Sequence, residues 1–330
     1  MDIVIGGSGL IGHHLVRELM RHGREVKVFD LHPFPADEKI APSETVLGNI
    51  LDYRALFNAI KGCERVFHLA ANPYLWDQHP EIFDQVNRQG TENVVRAAKQ
   101  ADVQRLVYTG TESILAPRHH KGFITEETKV SLDDMIGPYC RAKFLAEQSV
   151  FQAAKEGFPA VVVSPTMPIG PGDRNLTPPG RMISRFLQGK IPGFIDCTLN
   201  FVDVRDAALG HHLAAEKGEP GRRHILSGHN LTLAELFSLL SQASGKPVPR
   251  LKVPYPIALA GSYIEEWICK LTGRIPESSV TGVKLCRRSL AFNGSKTWQL
   301  FGHTPRPIEE SVRDAVRWHQ ARLSRAAETM

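Results

Sequence analysis

A turn of closely spaced glycines near the start of the chain constrains its fold more than any other feature. Gly6, Gly9 and Gly12 have the spacing G-x-x-G-x-x-G and directly follow the apolar run Ile3-Val4-Ile5. The residues after the turn are predicted to form a helix. In such a strand–turn–helix unit the first glycine allows the tight turn, the second lets a pyrophosphate approach the backbone, and the third lets the helix pack close to the strand. The turn therefore predicts a dinucleotide-binding site rather than an ordinary glycine-rich β-turn.

An acidic residue follows at the distance expected for a ribose contact. Asp30 ends the second predicted strand, 18 residues after Gly12. Its carboxylate can accept hydrogen bonds from both hydroxyls of an adenosine ribose, and it would repel the 2′-phosphate of NADP. No arginine occupies positions 31–34. The sequence therefore favours NAD over NADP as the cofactor.

Short apolar segments alternate with amphipathic segments through the first half of the chain. We predict strands over 3–5, 26–29, 65–69, 105–109 and 160–163, and helices over 12–22, 53–61, 81–99 and 138–155. Apolar strands that alternate with helices are typical of a parallel sheet covered on both faces. Right-handed crossovers make this an α/β fold with a doubly wound, Rossmann-type parallel sheet.

The pattern changes after residue 165. Residues 164–180 contain five prolines and three glycines, which predicts a long loop of the kind that usually carries function. Further helices are predicted over 181–188, 204–216, 232–244, 257–271 and 309–325, and Thr232 with Glu235 forms a capping-box signature. We therefore expect an NAD-binding domain over residues 1–165, with a returning segment near 200–227. A smaller, mostly helical substrate-binding lobe is expected over 166–330.

Composition and charge exclude several classes of protein. The 330 residues carry a formal net charge of only +5, and Lys and Arg never occur in runs longer than two, so nucleic acid is not an expected partner. The five cysteines contain no C-x-x-C pair, so we expect no metal site, no disulfide framework and a reducing compartment such as the cytoplasm. We also expect no secretory signal and no membrane span, because no apolar run reaches about 18–20 residues.

A tyrosine and a lysine supply the chemistry predicted for the site. Tyr139 and Lys143 form the pattern Y-x-x-x-K within a predicted helix, so their side chains share one face. An ammonium beside a phenol favours the phenolate, and we therefore expect Lys143 to lower the pKa of Tyr139 toward neutrality. Such a tyrosine can exchange a proton while an alcohol and a carbonyl interconvert. Thr111, just past the strand 105–109, either binds the substrate oxygen or only caps a turn.

Together these residues resemble the extended short-chain dehydrogenase/reductase superfamily, which includes NAD-dependent epimerases and dehydratases. The likeness spans nearly the whole chain and includes His68-Leu69-Ala70-Ala71, Asn87 with Gly90-Thr91, and Gly170-Pro171. More closely, the chain resembles the hopanoid-associated sugar epimerase group and its neighbours, the dihydroflavonol-4-reductase-like enzymes. The segments that carry this closer likeness are 75–76, 130–137, 143–147, 168–171, 177–181 and 230–233.

The resemblance implies a role for each matching residue. The pyrophosphate would be held by Gly6, Gly9, Leu10 and Ile11, and the adenosine ribose by Asp30. Further cofactor contacts are implied for Asn49, Ile50, Leu69, Ala70, Ala71, Thr109, Pro165 and Met167, and the catalytic residues would be Thr111, Tyr139 and Lys143. Asn87 would help to order the site.

The sequence also departs from the superfamily pattern. Asn49 stands where Asp is usual, and Thr109, Gly110 and Ala142 stand where Ser is usual. Ser164 stands where many sugar-nucleotide enzymes have Arg, which argues slightly against a sugar-nucleotide substrate.

Two kinds of reaction remain compatible with these residues. The run Thr111-Glu112-Ser113 lacks the second carboxylate that a nucleotide-sugar 4,6-dehydratase needs, so dehydration is not expected. A sugar or nucleotide-sugar epimerase or dehydrogenase would use the same three catalytic residues as a ketoreductase or dehydrogenase for an isoprenoid, steroid or polyketide-like substrate. A non-catalytic NAD-binding protein is the lesser alternative, because such proteins commonly lose the tyrosine or the lysine.

The substrate is expected to be a small molecule that contacts Trp76, Glu112 and Arg181. Arg181 can bind a phosphate or a carboxylate, and otherwise is a solvated arginine at a helix start. The segment 253–271 is either a lid for a lipid-like substrate or an ordinary amphipathic surface helix. Relatives pair two long helices from each subunit, which here would be 81–99 and 138–155, so a homodimer is expected.

Overall fold

A seven-stranded parallel sheet forms the centre of the first half of the chain. The computed structural model describes residues 1–35, 41–288 and 290–328. The strands of this sheet are β1 (Asp2–Ile5), β2 (Val26–Asp30), β3 (Glu44–Leu47), β4 (Arg65–His68), β5 (Arg105–Thr109), β6 (Ala160–Pro165) and β10 (Arg223–Leu226). Their spatial order is β3-β2-β1-β4-β5-β6-β10, and every neighbouring pair is parallel. From β1 the first strands are added toward one edge of the sheet and the later strands, beginning with β4, toward the other edge. Sheets of this kind bind ligands at the point between β1 and β4 where the direction of addition changes.

Helices cover both faces of this sheet. One face packs against α1 (Leu10–Arg21) and α6 (Val204–Lys217), and the other against α2 (Tyr53–Ile60), α3 (Gly90–Gln100) and α4 (Gly137–Lys155). A π-helical segment, Phe83–Gln89, runs directly into α3. Successive residues of β1 alternate between the two cores, since Ile3 and Ile5 face one and Val4 the other. Burial on both faces explains the apolar strands and confirms the predicted α/β, doubly wound fold.

The remaining elements form a smaller, mostly helical part with its own core. A three-stranded sheet has the order β11-β9-β7, and a short pair joins β8 to β12. These strands are β7 (Met167–Ile169), β8 (Gly193–Phe194), β9 (Thr198–Asp203), β11 (His229–Thr232) and β12 (Leu251–Lys252). The helices are α5 (Pro178–Leu187), α7 (Leu233–Ser244), α8 (Tyr255–Thr272), α9 (Val280–Cys286), α10 (Ser295–Phe301) and α11 (Ile308–Glu328). Phe237 anchors the core, with its ring 5.7 Å from that of Phe186 and 5.2 Å from that of Phe194.

Most of the predicted elements lie where the sequence places them. The loop prediction for 164–180 is wrong in part, because β6 extends to Pro165, the segment contains β7, and α5 begins at Pro178. Two prolines fit the first turn of α5, because the N–H groups there need no partner within the helix. The capping box of Thr232 and Glu235 is confirmed at the start of α7.

The edge strand β3 was not predicted from the sequence, because its residues lack the apolar pattern of a buried strand. Its residues Glu44–Leu47 are largely exposed, so the apolar repeat that marks a central strand is missing.

Along the described ranges of the chain, no helix is both long and apolar enough to cross a bilayer.

Candidate active site

One large cleft collects the residues that the sequence singled out. It has a volume of about 1750 Å³ and lies where β1, β2, β4, β5 and β6 end, with residues of α5, α8 and α9 on its other side. All 19 residues predicted for cofactor, chemistry and substrate line this cleft. The cleft is large enough for a dinucleotide and a second molecule, because typical ligand pockets measure roughly 300–1,000 Å³.

The glycine turn forms a cradle that side chains would fill. Gly6 has a φ of +88°, and a Cβ there would lie 2.5 Å from the Ala70 nitrogen. A Cβ at Gly12 would lie 2.1 Å from the Gly6 carbonyl oxygen, so only glycine permits this packing. The first turn of α1 contains no acidic residue, and Gly9 makes no side-chain cap there. The positive helix end is therefore left for a pyrophosphate, beside the backbone of Leu10 and Ile11.

Asp30 is held against the glycine turn. Its Oδ2 accepts a 2.9 Å hydrogen bond from the Ser8 backbone N–H, and its Oδ1 accepts a 3.0 Å bond from that of His32. The carboxylate is therefore fixed at the end of β2, and each oxygen retains a second lone pair for a ribose hydroxyl. This donor and acceptor set fits the dinucleotide that the sequence predicts.

Two further groups of predicted contacts line the nucleotide side. Leu69, Ala70 and Ala71 follow β4 and form one wall. Asn49 is exposed at the far end, where its Oδ1 accepts a 2.9 Å hydrogen bond from the Leu51 N–H. The neighbouring Ile50 is buried, and its carbonyl accepts a hydrogen bond from Asn93. The side-chain oxygen of Asn49 therefore forms a hydrogen bond within its own loop.

The catalytic candidates meet at the centre of the cleft. Tyr139 lies in the first turn of α4 and Lys143 one turn later, and both are largely buried while still lining the cleft. The hydroxyls of Tyr139 and Thr111 are neighbours, and their interaction favours the phenolate of Tyr139. Edge contact with the Phe83 ring, 6.0 Å between centroids, fixes the Tyr139 ring. Thr111 also caps a short 3₁₀ turn, which is one of the two roles that the sequence left open for it.

The electrostatics of this pair differ from the prediction. Burial raises the pKa of Tyr139, and the neighbouring Thr111 hydroxyl offsets only part of that rise. Burial lowers the pKa of Lys143 to about 7. The Lys143 ammonium donates a 2.7 Å hydrogen bond to the Thr109 carbonyl and lies 4.5 Å from the centre of the Tyr108 ring. The expected lowering of the Tyr139 pKa by Lys143 is therefore wrong, because desolvation by burial dominates the pKa of this phenol.

Thr109 contributes its backbone rather than its hydroxyl to this arrangement. Its carbonyl holds Lys143, and its Oγ1 lies 2.9 Å from Nε2 of the buried His211. Pro165 and Met167 complete the wall on this side of the cleft.

Glu112 extends the hydroxyl chain from Tyr139. Its Oε2 accepts a 3.1 Å hydrogen bond from the Thr111 hydroxyl, and its Oε1 accepts a 3.3 Å bond from that of Ser113. Desolvation raises the pKa of the Glu112 carboxyl. Tyr139, Thr111 and Glu112 therefore form a line of neighbouring polar groups that ends at a carboxyl group in the cleft.

The part of the cleft beyond Tyr139 is walled mainly by apolar side chains. Leu75 and Trp76 project from the loop after β4, and further apolar side chains come from β8, α5, α7, α8 and α9. Arg181 interrupts this wall, with its guanidinium 5.6 Å from the centre of the Tyr74 ring. The apolar residues that line this part of the cleft, besides Leu75 and Trp76, include Met182, Ile191, Phe194, Leu199, Phe237, Ile257, Val283, Leu285 and Leu290.

Comparison with known families identifies the chain. The profile of the "NAD dependent epimerase/dehydratase family" matches residues 3–227. The chain belongs to this family. It is therefore an NAD-dependent enzyme of the extended short-chain dehydrogenase/reductase type, as the sequence predicted, and NAD is the cofactor that the glycine turn and Asp30 fit.

Curated relatives of this family member have names from several reductase and dehydrogenase reactions. The chain is 33% identical over 322 residues to a putative dihydroflavonol 4-reductase of Synechocystis, with 96% of this chain and 94% of that one covered. It is 30% identical to a 2-alkyl-3-oxoalkanoate reductase of Stenotrophomonas maltophilia, covering 94% and 97%. It is 28% identical to a decarboxylating sterol-4-alpha-carboxylate 3-dehydrogenase of Saccharomyces cerevisiae, covering 96% of this chain and 97% of that one. The crystal structure of gox2253 superposes with a TM-score of 0.84 at 31% identity, over 98% of both chains.

Sequence reasoning missed the residues that support Lys143, the lysine predicted to be catalytic. Glu147 is fully buried one turn after Lys143 and forms an ion pair with Arg223 of β10. Its negative charge favours the ammonium of Lys143. The spacing of four residues between Lys143 and Glu147 indicates that both lie on one helix face, so this contact could have been predicted. The pairing of Glu147 with Arg223 spans 76 residues, and no local pattern in the sequence indicates it.

A second missed feature shapes the loop that carries Trp76. Asn87, in the π-helical segment, accepts a 2.8 Å hydrogen bond from the Asn72 N–H and donates a 3.1 Å bond to its carbonyl. The expected ordering role of Asn87 thus acts through the loop after β4. Its partner Asn72 could not be identified from the sequence.

Proposed function

We propose that this enzyme interconverts a secondary alcohol and a ketone on a hydrophobic substrate that carries a carboxylate. The observation that carries the proposal is the mainly apolar wall of the cleft beyond Tyr139, which Arg181 interrupts. A nucleotide sugar presents hydroxyls and phosphates along its whole length, and an apolar wall leaves such groups without partners. An isoprenoid, steroid or polyketide-like body buries apolar surface against the same wall.

Arg181 supports the carboxylate in this proposal. Its guanidinium lines the cleft beside the Tyr74 ring and, among the described residues, has no ion-pair partner, while the charge of Asp173 lies nearby. A guanidinium can bind a carboxylate through two parallel hydrogen bonds. The names of two relatives describe a 3-oxo alkanoate and a 3-dehydrogenase for a 4-carboxylate. Both names place the reacting oxygen on the carbon next to the one that bears a carboxylate.

The proposed chemistry assigns the acid–base work to residues of this chain. NAD, when bound, accepts or returns the hydride at the reacting carbon. In the direction of reduction, the Tyr139 hydroxyl donates its proton to the ketone oxygen as that carbon gains the hydride, and the carbonyl π-bond becomes the new O–H bond. Because burial keeps Tyr139 protonated, it begins as an acid. The Lys143 ammonium stabilises the phenolate that forms.

Thr111 and Glu112 complete the proposed proton path. The Thr111 hydroxyl, next to that of Tyr139, orients the substrate oxygen, and Glu112 accepts from Thr111 at 3.1 Å. The phenolate of Tyr139 regains a proton from Glu112 through Thr111. Burial raises the pKa of the Glu112 carboxyl, which favours its protonated form.

A substrate panel tests this proposal directly. Purified enzyme is assayed by nicotinamide absorbance with long-chain 3-hydroxy acids, a sterol 4-carboxylate and nucleotide sugars. We expect kcat/KM for the hydrophobic hydroxy acids to exceed that for nucleotide sugars by at least about 100-fold. Arg181→Met should raise KM for the acids and leave NAD affinity unchanged. Conversion of a nucleotide sugar to its epimer, with NAD released only on denaturation, would instead assign the enzyme as an epimerase.

We also propose a homodimer. The segment Phe83–Gln89 with α3 packs against α4, and these are the two long helices that the sequence assigned to the subunit interface. Light scattering at micromolar concentration should give twice the monomer mass of 36.7 kDa. A monomer mass would overturn the proposal.

Compartment and domain organisation are proposed on separate grounds. All five cysteines are free thiols, which supports a reducing, cytoplasmic location. Residues 1–165 with the returning segment near 200–227 are proposed as the NAD-binding domain, and the rest of 166–330 as the substrate-binding lobe. Strand β10 lies within that returning segment and extends the main sheet, which supports the division.

A further inference from the structure

The helix α8 has an inverted polarity. Its large apolar side chains lie outward, with Ile264 60%, Trp267 63% and Leu271 70% exposed. The residues that face the protein include Ser262 and Cys269, both buried. A surface helix of a water-soluble domain normally shows the opposite arrangement.

The outward apolar side chains form one continuous stripe. Residues 257, 260, 264, 267, 268 and 271 follow the helical repeat of three and four positions, so they share a single face about 100° wide. Of these, Ile257 and Ile268 are also exposed, at 64% and 45%. We call residues 257, 260, 264, 267, 268 and 271 the α8 stripe.

The two carboxylates of α8 are turned away from the stripe. Glu265 accepts hydrogen bonds from the N–H groups of Glu277 at 2.6 Å and Ser278 at 3.2 Å, and Glu266 accepts one from Val280 at 2.7 Å. Both acidic side chains therefore tie α8 to the segment that follows it. The stripe itself, within this fully described helix, consists of apolar residues alone.

Basic residues predominate in the segment that contains the stripe. Residues 246–287 contain seven basic and three acidic residues, whereas the whole chain has a net charge of only +5. Two of the acids are the inward Glu265 and Glu266, and the third, Glu277, pairs with Arg185. Lys270 and Arg274 are exposed beside the stripe. An exposed apolar stripe flanked by Lys and Arg is the signature of a helix that lies in the headgroup region of a membrane.

The stripe also reaches the opening of the cleft. Ile257 belongs to the stripe and lines the cleft, and Gly261 and Ile275 line the cleft beside it. A planar surface placed against the stripe therefore meets the cleft opening. The charge and the continuity together favour a bilayer over a second copy of this chain, whose corresponding basic rim would be repelled.

We propose that the α8 stripe docks the enzyme onto the surface of a bilayer that contains anionic phospholipid. The apolar side chains enter the boundary between headgroups and acyl chains, and the basic residues around them contact lipid phosphates. That the cleft takes its substrate from the bilayer rests on the proposed function, whereas the docking does not.

Vesicle flotation of the full chain tests the docking without any substrate. We expect the protein to float with vesicles of phosphatidylcholine and phosphatidylglycerol, and much less with phosphatidylcholine alone. Trp267→Glu should lower the vesicle partition coefficient at least about tenfold, because it removes a large apolar contact and adds a repelled charge. The matched control is Leu300→Glu on α10, where a leucine that is 46% exposed receives the same charge, and it should bind like the wild type.

The outcomes separate the alternatives. Absence of flotation, equal flotation with uncharged vesicles, or equal loss in Trp267→Glu and Leu300→Glu would overturn the proposal. A dimer that Trp267→Glu dissociates, without vesicle binding, would assign the stripe to a second copy instead. If Trp267→Glu loses NAD affinity, the pair Lys270→Gln and Arg274→Gln replaces it and should reduce binding to anionic vesicles several-fold. Because no substrate is present, failure of the proposed function leaves these results unchanged.

Discussion

Lys143 offers the strongest test of the electrostatics of the site. Its ammonium is buried against the Thr109 carbonyl, and burial lowers its pKa from 10.5 to about 7, with only partial compensation by Glu147. At about 1.4 kcal/mol for each pKa unit, this difference corresponds to roughly 5 kcal/mol of unfolding free energy. Below pH 7 the buried Lys143 is protonated in the folded protein. The unfolding free energy is then lower, by about this amount, than that of a protein without a charge at position 143.

The sign of the pH dependence follows from proton binding. Between pH 7 and 10.5 the unfolded chain binds a proton at Lys143 that the folded chain does not bind, so unfolding free energy rises with pH in this window. The slope for this one group approaches about 1.4 kcal/mol for each pH unit. Lys143→Met removes this contribution. We therefore expect the variant to exceed the wild type in stability below pH 7, and the gap to close as pH rises.

Urea unfolding of the ligand-free protein measures this gap. Midpoints and slopes are recorded by circular dichroism from about pH 6.5 to about pH 9.5 for the wild type and Lys143→Met. Lys155→Met, at the exposed end of the same helix, is the matched control and should show no pH-dependent difference from wild type. A constant difference between wild type and Lys143→Met across this range would refute the reasoning, because it would mean that folding leaves the lysine pKa unaltered.

Three further predictions concern the cofactor and the chemical step. Tyr139→Phe should lower kcat/KM by about 10²–10⁴-fold in steady-state assays, with NAD affinity by calorimetry unchanged, and near-normal turnover would exclude its acid role. Gly12→Ala should abolish NAD binding in the same titration, because its Cβ would lie 2.1 Å from the Gly6 carbonyl oxygen; wild-type affinity would show that the turn is not the pyrophosphate site. Asp30→Ser should raise the ratio of kcat/KM with NADP to that with NAD by at least about tenfold, and an unchanged ratio would remove Asp30 from the ribose contact.

The parts of the site that could be predicted are those set by local sequence. The glycine turn needs only a strand before it and a helix after it, and both are visible in the residue pattern. Tyr139 and Lys143 share a helix face because of their spacing alone. The position of Asp30 follows from the length of one strand–helix–strand unit. In each case the geometry that matters lies within a single element or one connection.

The protonation states could not be predicted in this way. The sequence shows that an ammonium and a phenol are neighbours, but the balance between attraction and desolvation depends on everything packed around them. Here Lys143 is covered by the Tyr108 ring and turned to the Thr109 carbonyl, so the burial of each group dominates its pKa. The compensating Glu147 is held by Arg223, which reaches it from another strand. Pairings across the sheet leave no trace in local spacing.

The orientation of α8 explains how the cleft and the outer surface are linked. The residue pattern of 253–271 fits either a lid or a surface helix, because periodicity identifies a face without saying which way it points. In the structure Glu265 and Glu266 hold the backbone of residues 277–280, and part of that segment lines the cleft. The inward polar face of α8 therefore fixes one rim of the cleft, which leaves the apolar face outward. Burying Trp267 instead would contribute roughly 1.5–3 kcal/mol to stability, but would turn both carboxylates away from the rim.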